Sequence, residues 1–316
     1  MKKLLKKTLK LILPVVLGGF ILFWVYRDFD FTKAGDVLLH GTNWWWMLFS
    51  LVFGVFAQVF RGWRWRQTLE PLDAFPKKSD CVNAIFISYA ASLVVPRIGE
   101  VSRCGVLAKY DNVSFAKSLG TVVTERLVDT LTILLITGIT VLLQLPIFVT
   151  FLQQTSVWFY IILFCFIGVA ILLYYLRKTL FFYERVKGFV LNIWEGIMSL
   201  KGVRNIPLFI FYTLAIWACY FLHFYFTFYC FAFTAHLGIL AALVMFVGGT
   251  FAVIVPTPNG AGPWHFAIIS MMMLYGVNVT DAGIFALIVH GIQTFLVVLL
   301  GIYGFAALSF TNRHRG

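Results

Sequence analysis

The sequence predicts an all-α polytopic membrane protein: about six transmembrane helices plus two re-entrant helical hairpins, arranged as an inverted repeat within a single integral membrane domain, 1–316. Three observations predict it. The chain is 61% hydrophobic and 18% aromatic with only 12% charged residues, where soluble domains carry about 25% charge and cannot hide so much apolar surface. Apolar runs near the roughly 20 residues that an α-helix needs to cross hydrocarbon recur along the chain. Two further apolar segments are interrupted in the middle by proline and glycine.

The uninterrupted runs are Leu11–Tyr26, Trp44–Phe60, Leu119–Leu143, Trp158–Leu176, Leu208–Phe233 and Ile284–Leu308. Lys2, Lys3, Lys6, Lys7 and Lys10 precede the first run as they would in a secretory signal. That run ends in Tyr26-Arg27-Asp28 with no small-residue cleavage site, so it reads as a retained span. Trp44-Trp45-Trp46 at one end of the second run, and Arg61, Trp63, Arg64, Trp65 and Arg66 at the other, suit the headgroup zone and read as anchors.

The net charge is +12, from 25 basic and 13 acidic residues. Placing the amino terminus in the cytoplasm puts 22 of the 25 basic residues on that side: five before the first run, five in 61–80, four in 97–117, six in 177–204 and two at the carboxyl terminus. Arg27 and Lys33 fall outside, and Arg126 lies within a span. This is the positive-inside bias. It implies an inner-membrane protein with both termini cytoplasmic, affinity for anionic lipid at the cytoplasmic face, and no nucleic-acid partner. Cys81, Cys104, Cys165, Cys219 and Cys230 show no CxxC spacing, so neither a disulfide framework nor a metal site is indicated, and no cofactor is expected.

The broken segments are Val82–Leu107, interrupted at Val95-Pro96-Arg97-Ile98-Gly99, and Ile239–Leu274, interrupted from Val255 to Pro263. Freed backbone groups are costly in lipid, so such breaks persist only inside protein or beside a wet cavity. The stretches after the two broken segments are also similar: Tyr110-Asp111-Asn112-Val113-Ser114 leads into the third run and Tyr275-Gly276-Val277-Asn278-Val279-Thr280 into the last. The halves, approximately 1–145 and 155–310, each read span, span, hairpin, span. Three true spans per half is an odd number, so the second half enters the membrane inverted. Paired broken helices in inverted halves are a recurring plan of secondary transporters.

Ionisable residues inside spans are expensive and usually retained for a role. Glu125 and Asp129 share a helix face about 9 and 15 Å along from Leu119, and Arg126 lies three residues before Asp129. Arg97, Glu100 and Arg103, spaced by three after Pro96, line one side of the half-helix that the proline starts. Two arginines beside a helix N-terminus suit a phosphate. In the second half, Asn259 sits in the break, His265 comes after it, and His290 with Thr294 takes the place of Glu125 with Asp129. Histidine is the side chain that titrates near neutral pH, so His265 and His290 admit proton coupling.

The motifs Val95-Pro96-Arg97-Ile98-Gly99-Glu100-Val101-Ser102-Arg103, Glu125-Arg126-Leu127-Val128-Asp129 and Pro256-Thr257-Pro258-Asn259-Gly260-Ala261-Gly262 together resemble the transmembrane, flippase-like domain of lysylphosphatidylglycerol synthases. The resemblance spans nearly the whole chain and implies transfer of a phospholipid or glycolipid between leaflets. A stand-alone member without the synthase domain is expected. One departure stands out: where the resemblance leads us to expect glutamate some three residues after the glycines, this chain has Pro263, Trp264 and His265.

The combined expectation is a lipid transporter rather than an enzyme, with a membrane lipid as its substrate. Arg97 and Arg103 engage the headgroup phosphate, and Glu125, Arg126 and Asp129 form a polar midplane. The rivals are a membrane-embedded lipid-modifying enzyme and a structural or partner-recruiting protein. The enzyme would need a nucleophile, base or metal constellation, and none is legible.

Overall fold

The computed structural model describes residues 2–96, 98–154 and 202–311, and among these the regular elements are all helical. The chain forms two compact units: Met1–Val122 with Val203–Gly316, and Val123–Gly202.

The first unit opens with α1 (Lys2–Tyr26). The chain then turns by 97° into Phe31–Gly41. Asp30 starts α2 (Phe31–Asp36), its carboxylate accepting the amide hydrogens of Thr32 and Lys33 at 2.9 and 3.0 Å, the preferred chemistry for an N-cap. A π turn at Val37–Gly41 comes next, and the Asn43 side chain then caps α3 (Trp44–Leu69).

Hydropathy ends this span at Phe60 and assigns Arg61 to Arg66 to the headgroup zone. The helix instead continues to Leu69, because Arg61, Arg64 and Trp65 turn inward and are buried. Arg66 is partly exposed and pairs with Glu70 one turn on at 2.9 Å.

Helix α4 (Lys78–Val94) crosses α3 at Gly62, where a Cβ would lie 2.7 Å from Val82 Cα. Val95 is extended and Pro96 lacks an amide hydrogen, so the helix ends there. Helix α5 (Ile98–Tyr110) folds back onto α4, and Gly99 permits the close approach: any side chain there would collide with the Ser88 carbonyl. Helix α6 (Phe115–Leu143) leads in turn to α7 (Leu145–Gln154).

In the returning segment, α8 (Ile206–Tyr225) starts at Asn205, whose side chain accepts the Leu208 amide, and it packs along α3. Helices α9 (Ile239–Ala252) and α10 (Pro263–Leu274) pair across the second break, and α11 (Val279–Thr311) packs on α4 and α10. Gly301 and Gly304 of α11 let it sit directly on Ala90 and the Asn83 carbonyl of α4. Such small-residue contacts hold helices together where lipid removes the hydrophobic drive. The main core gathers Phe224, Phe228, Phe231 and Phe285 with Met245, Met272 and Trp264.

Among the described residues, four helices are long and apolar enough to cross a membrane, or five where the bent first pair counts as one span. Of the six expected spans, Trp158–Leu176 lies outside the described residues. The solvent is legible from the surface: Phe23, Trp45, Leu214, Ile302 and Phe305 are exposed, whereas Arg61, Arg64, Asp80, Arg103 and His265 are buried. Apolar outside and charged inside is the arrangement expected in hydrocarbon, where an unpaired polar group facing lipid is costly.

Candidate functional site

The first hairpin presents its polar groups on α5. Glu100 stands in the first turn of that helix and is partly buried. One turn on, Arg103 is only 1% exposed, and its guanidinium carbon lies 4.4 Å from the centroid of the Trp65 ring. The stack lies within an apolar cluster of Leu69, Cys81, Cys104 and Leu107. Trp65 is itself fixed by its indole N–H, which donates to Thr121 Oγ1 at 3.0 Å. Arg97, the other expected phosphate ligand, lies outside the described residues.

A second buried cation group is one that sequence alone does not disclose. Arg61 Nη1 donates to the hydroxyls of Tyr89 on α4 and Tyr220 on α8 at 3.1 and 3.3 Å, and the two hydroxyls share a hydrogen bond of 2.8 Å. One turn on, Arg64 is fully buried; its Nη1 donates to Thr213 Oγ1 at 3.3 Å, and the guanidinium lies over Phe209. The only signal in the sequence is a second arginine-bearing face on α3. The partners of Arg61 stand 28 and 159 positions away.

The second break unites the residues predicted for it. Asn259 adopts a left-handed backbone, φ 51°, which asparagine tolerates better than most residues. Its side-chain amide donates to Thr294 Oγ1 at 2.8 Å, and its carbonyl accepts from His290 Nε2 at 3.1 Å. His265, in the first turn of α10, accepts the Gly262 amide hydrogen through Nδ1 at 3.4 Å. The two imidazole centroids are 4.6 Å apart, with Trp264 and Tyr26 ringed around them. The bonds fix the neutral tautomers: His265 carries its proton on Nε2 and His290 on the same atom. Tyr26 completes the cluster from α1, donating to the Gly283 carbonyl at 3.2 Å. The break also touches α1 directly, because a Cβ at Gly18 would lie 3.1 Å from the Ala261 carbonyl.

Within the second unit, Glu125 and Asp129 are both buried on one face of α6, as their spacing predicts, while Arg126 is exposed.

These features define a polytopic α-helical membrane protein with several buried polar groups among its described residues. Residues 11–301 match the family described as lysylphosphatidylglycerol synthase TM region, and the chain belongs to that family. No curated protein and no solved structure matched the chain.

Proposed function

We propose that this protein carries a phospholipid or glycolipid between the leaflets of the inner membrane, acting as a transporter and not as an enzyme, with both termini in the cytoplasm. The observation that carries the reading is the meeting of α4, the first arm of one broken helix pair, with the Pro258–Gly260 turn inside the other. The contact sets the irregular, polar backbone of the second break against the first helix pair, inside an apolar bundle. That is what a polar headgroup needs to leave one leaflet for the other. The family relationship supports a lipid-related role.

In this reading Arg97 and Arg103 engage the headgroup phosphate, with Glu100 beside them. Glu125, Arg126 and Asp129 form the polar part of α6, and Asn259, His265 and His290 receive the headgroup at the second break. The inverted repeat gives the two breaks equivalent tasks on opposite sides. Leaflet-specific labelling of lipid in vesicles with purified protein tests this. Protein-dependent movement of chemically unchanged lipid is expected, whereas conversion of the lipid to a new product would replace the transporter with an enzyme.

A further inference from the structure

Beside the second break, α1, α9 and α10 enclose an open cleft of about 490 Å³. Ile21 and Trp24 of α1 make one wall, Ala252 at the end of α9 and Val255 just beyond it another, and Phe266 and Ala267 of α10 the third. The rings of Trp24 and Phe266 are exposed, with centroids 5.9 Å apart, whereas Ile21, Ala252, Val255 and Ala267 are half-buried. The local cause is a run of small residues. Helices α9 and α10 come into direct contact at Gly248, where a Cβ would collide with Met271, and the single methyl groups of Ala252 and Ala267 leave the space toward α1 unfilled. Protein interiors ordinarily close such gaps.

Size and chemistry together select the occupant. The volume falls within the roughly 300–1,000 Å³ of pockets that hold a ligand. All the described residues that line it are apolar or aromatic, so it offers nothing to a charged headgroup. Phe20 and Phe23, beside the wall residues of α1, and Ile254, beside Val255, are exposed, which makes the cleft continuous with the apolar surface that meets the bilayer. A helix of a second protein is about 10 Å across and would fill that volume within roughly one turn. A hydrocarbon chain is narrow and carries no side chains, so it enters lengthwise.

We propose that this cleft is a binding site for one acyl tail of a membrane phospholipid, seated between α1 and the second break. Its walls belong to the break as much as to the helices. Val255 and Pro263, at the two ends of the break, both line it, and Ile21 joins the cleft to the break, because a Cβ at Gly262 would lie 3.0 Å from the Ile21 Cβ. A seated tail therefore supports the position of α1 on the break. The tail passes from one hydrocarbon environment to another, so close packing and not the hydrophobic effect retains it, and the fit of the cleft decides its occupancy. The site goes beyond the transport reading and does not depend on it: it requires only that this face of the protein meets lipid.

The test uses full-length protein in phosphatidylcholine vesicles doped with phosphatidylcholine that carries a photoactivatable diazirine at one of several positions along an acyl tail. After irradiation, peptide mass spectrometry should find adducts at Ile21 severalfold more often than at Ile302, an isoleucine exposed on α11. Ala267→Leu fills the cleft and should cut the Ile21 adducts severalfold while leaving those at Ile302 unchanged. Ala252→Leu fills it from α9 and serves as the second variant should the first not fold. With lipid-stripped protein, added phosphatidylcholine should raise the melting temperature, glycerophosphocholine, the headgroup alone, should not, and the leucine variants should lose most of the rise. Equal labelling of the two isoleucines would mean surface lipid only and would overturn the site, as would leucine variants with undiminished adducts at Ile21. An Ile21 shielded from the label in protein of dimeric mass would assign the cleft to a second copy of the chain instead. None of these outcomes depends on whether lipid changes leaflet, so the site and the transport reading stand or fall separately.

Discussion

The Arg103 guanidinium stacks on the face of Trp65 at 4.4 Å, so a residue that motif spacing marks as a headgroup ligand is also part of the packed junction between α3 and α5. A desolvated cation–π contact is worth about 2 kcal/mol. Both roles are testable at one position.

Arg103→Ala should lower stability by at least that amount, since it also leaves a cavity beside Trp65 and Leu107. Arg103→Lys should keep the charge, lose the planar stack and fall between. Thermal melting of detergent-solubilised protein reads the first effect. Lipid retention by the lysine variant reads the second: loss of lipid with most stability kept supports the phosphate role, and full retention removes it.

At the second break, Thr294→Val takes away the acceptor for the Asn259 amide and should cost about 1 kcal/mol. Asn259→Gly tolerates the positive φ but loses the same bond, so the two changes should not add when combined. Each is expected to slow lipid movement more than it lowers the melting point. An additive double variant with normal transport would show that the bond has no functional part.

Glu125 and Asp129 share a buried face of α6. Glu125→Gln and Asp129→Asn nearly preserve shape and hydrogen bonding. If protonation accompanies transport, both variants should fold and retain lipid, while transport falls by roughly tenfold or more and loses its pH dependence between about pH 5 and 8. A purely structural pair would instead show a lower melting temperature with the normal pH profile in whatever transport remains.

Orientation is open to direct chemistry. Ser79, just before Asp80 in α4, and Asp36, at the end of α2, are both exposed. Single cysteines there should react with an impermeant maleimide from opposite faces, Ser79→Cys from the cytoplasmic side and Asp36→Cys from outside. Labelling of both from one face contradicts the charge-derived topology.

Those elements whose cause is local are legible in the sequence. Pro96 and the Pro256–Pro263 stretch interrupt apolar runs, and the helices break there because proline has no amide hydrogen to give. Glu125 and Asp129 emerge on one face because four residues make about one turn. Where the cause is distant, local pattern misleads or is silent. The length of α3 beyond Phe60 depends on Tyr89, Tyr220 and Thr213 receiving its arginines, and hydropathy scores a charge alike whether it meets a headgroup or a buried hydroxyl. Spacing puts Arg103 on the right face of the right helix, but its stacking partner lies in another helix and no periodicity reports it. The 97° turn after Tyr26 is likewise invisible, because the short polar stretch there specifies an end but not a direction.

The contact between α1 and the second break brings two backbones close together. A Cβ at Gly18 would press on the Ala261 carbonyl, and one at Gly262 would lie 2.9 Å from the Gly18 carbonyl, so two backbones lean on each other, flanked by the side chains of Thr257 and Ile21. Flexible side chains absorb displacement; peptide groups transmit it. Whatever is attached to the lysine-rich amino terminus therefore has a mechanical line to the loop that carries Asn259. A bulky amino-terminal fusion would strain that loop, and an affinity handle for functional work belongs at the other end of the chain.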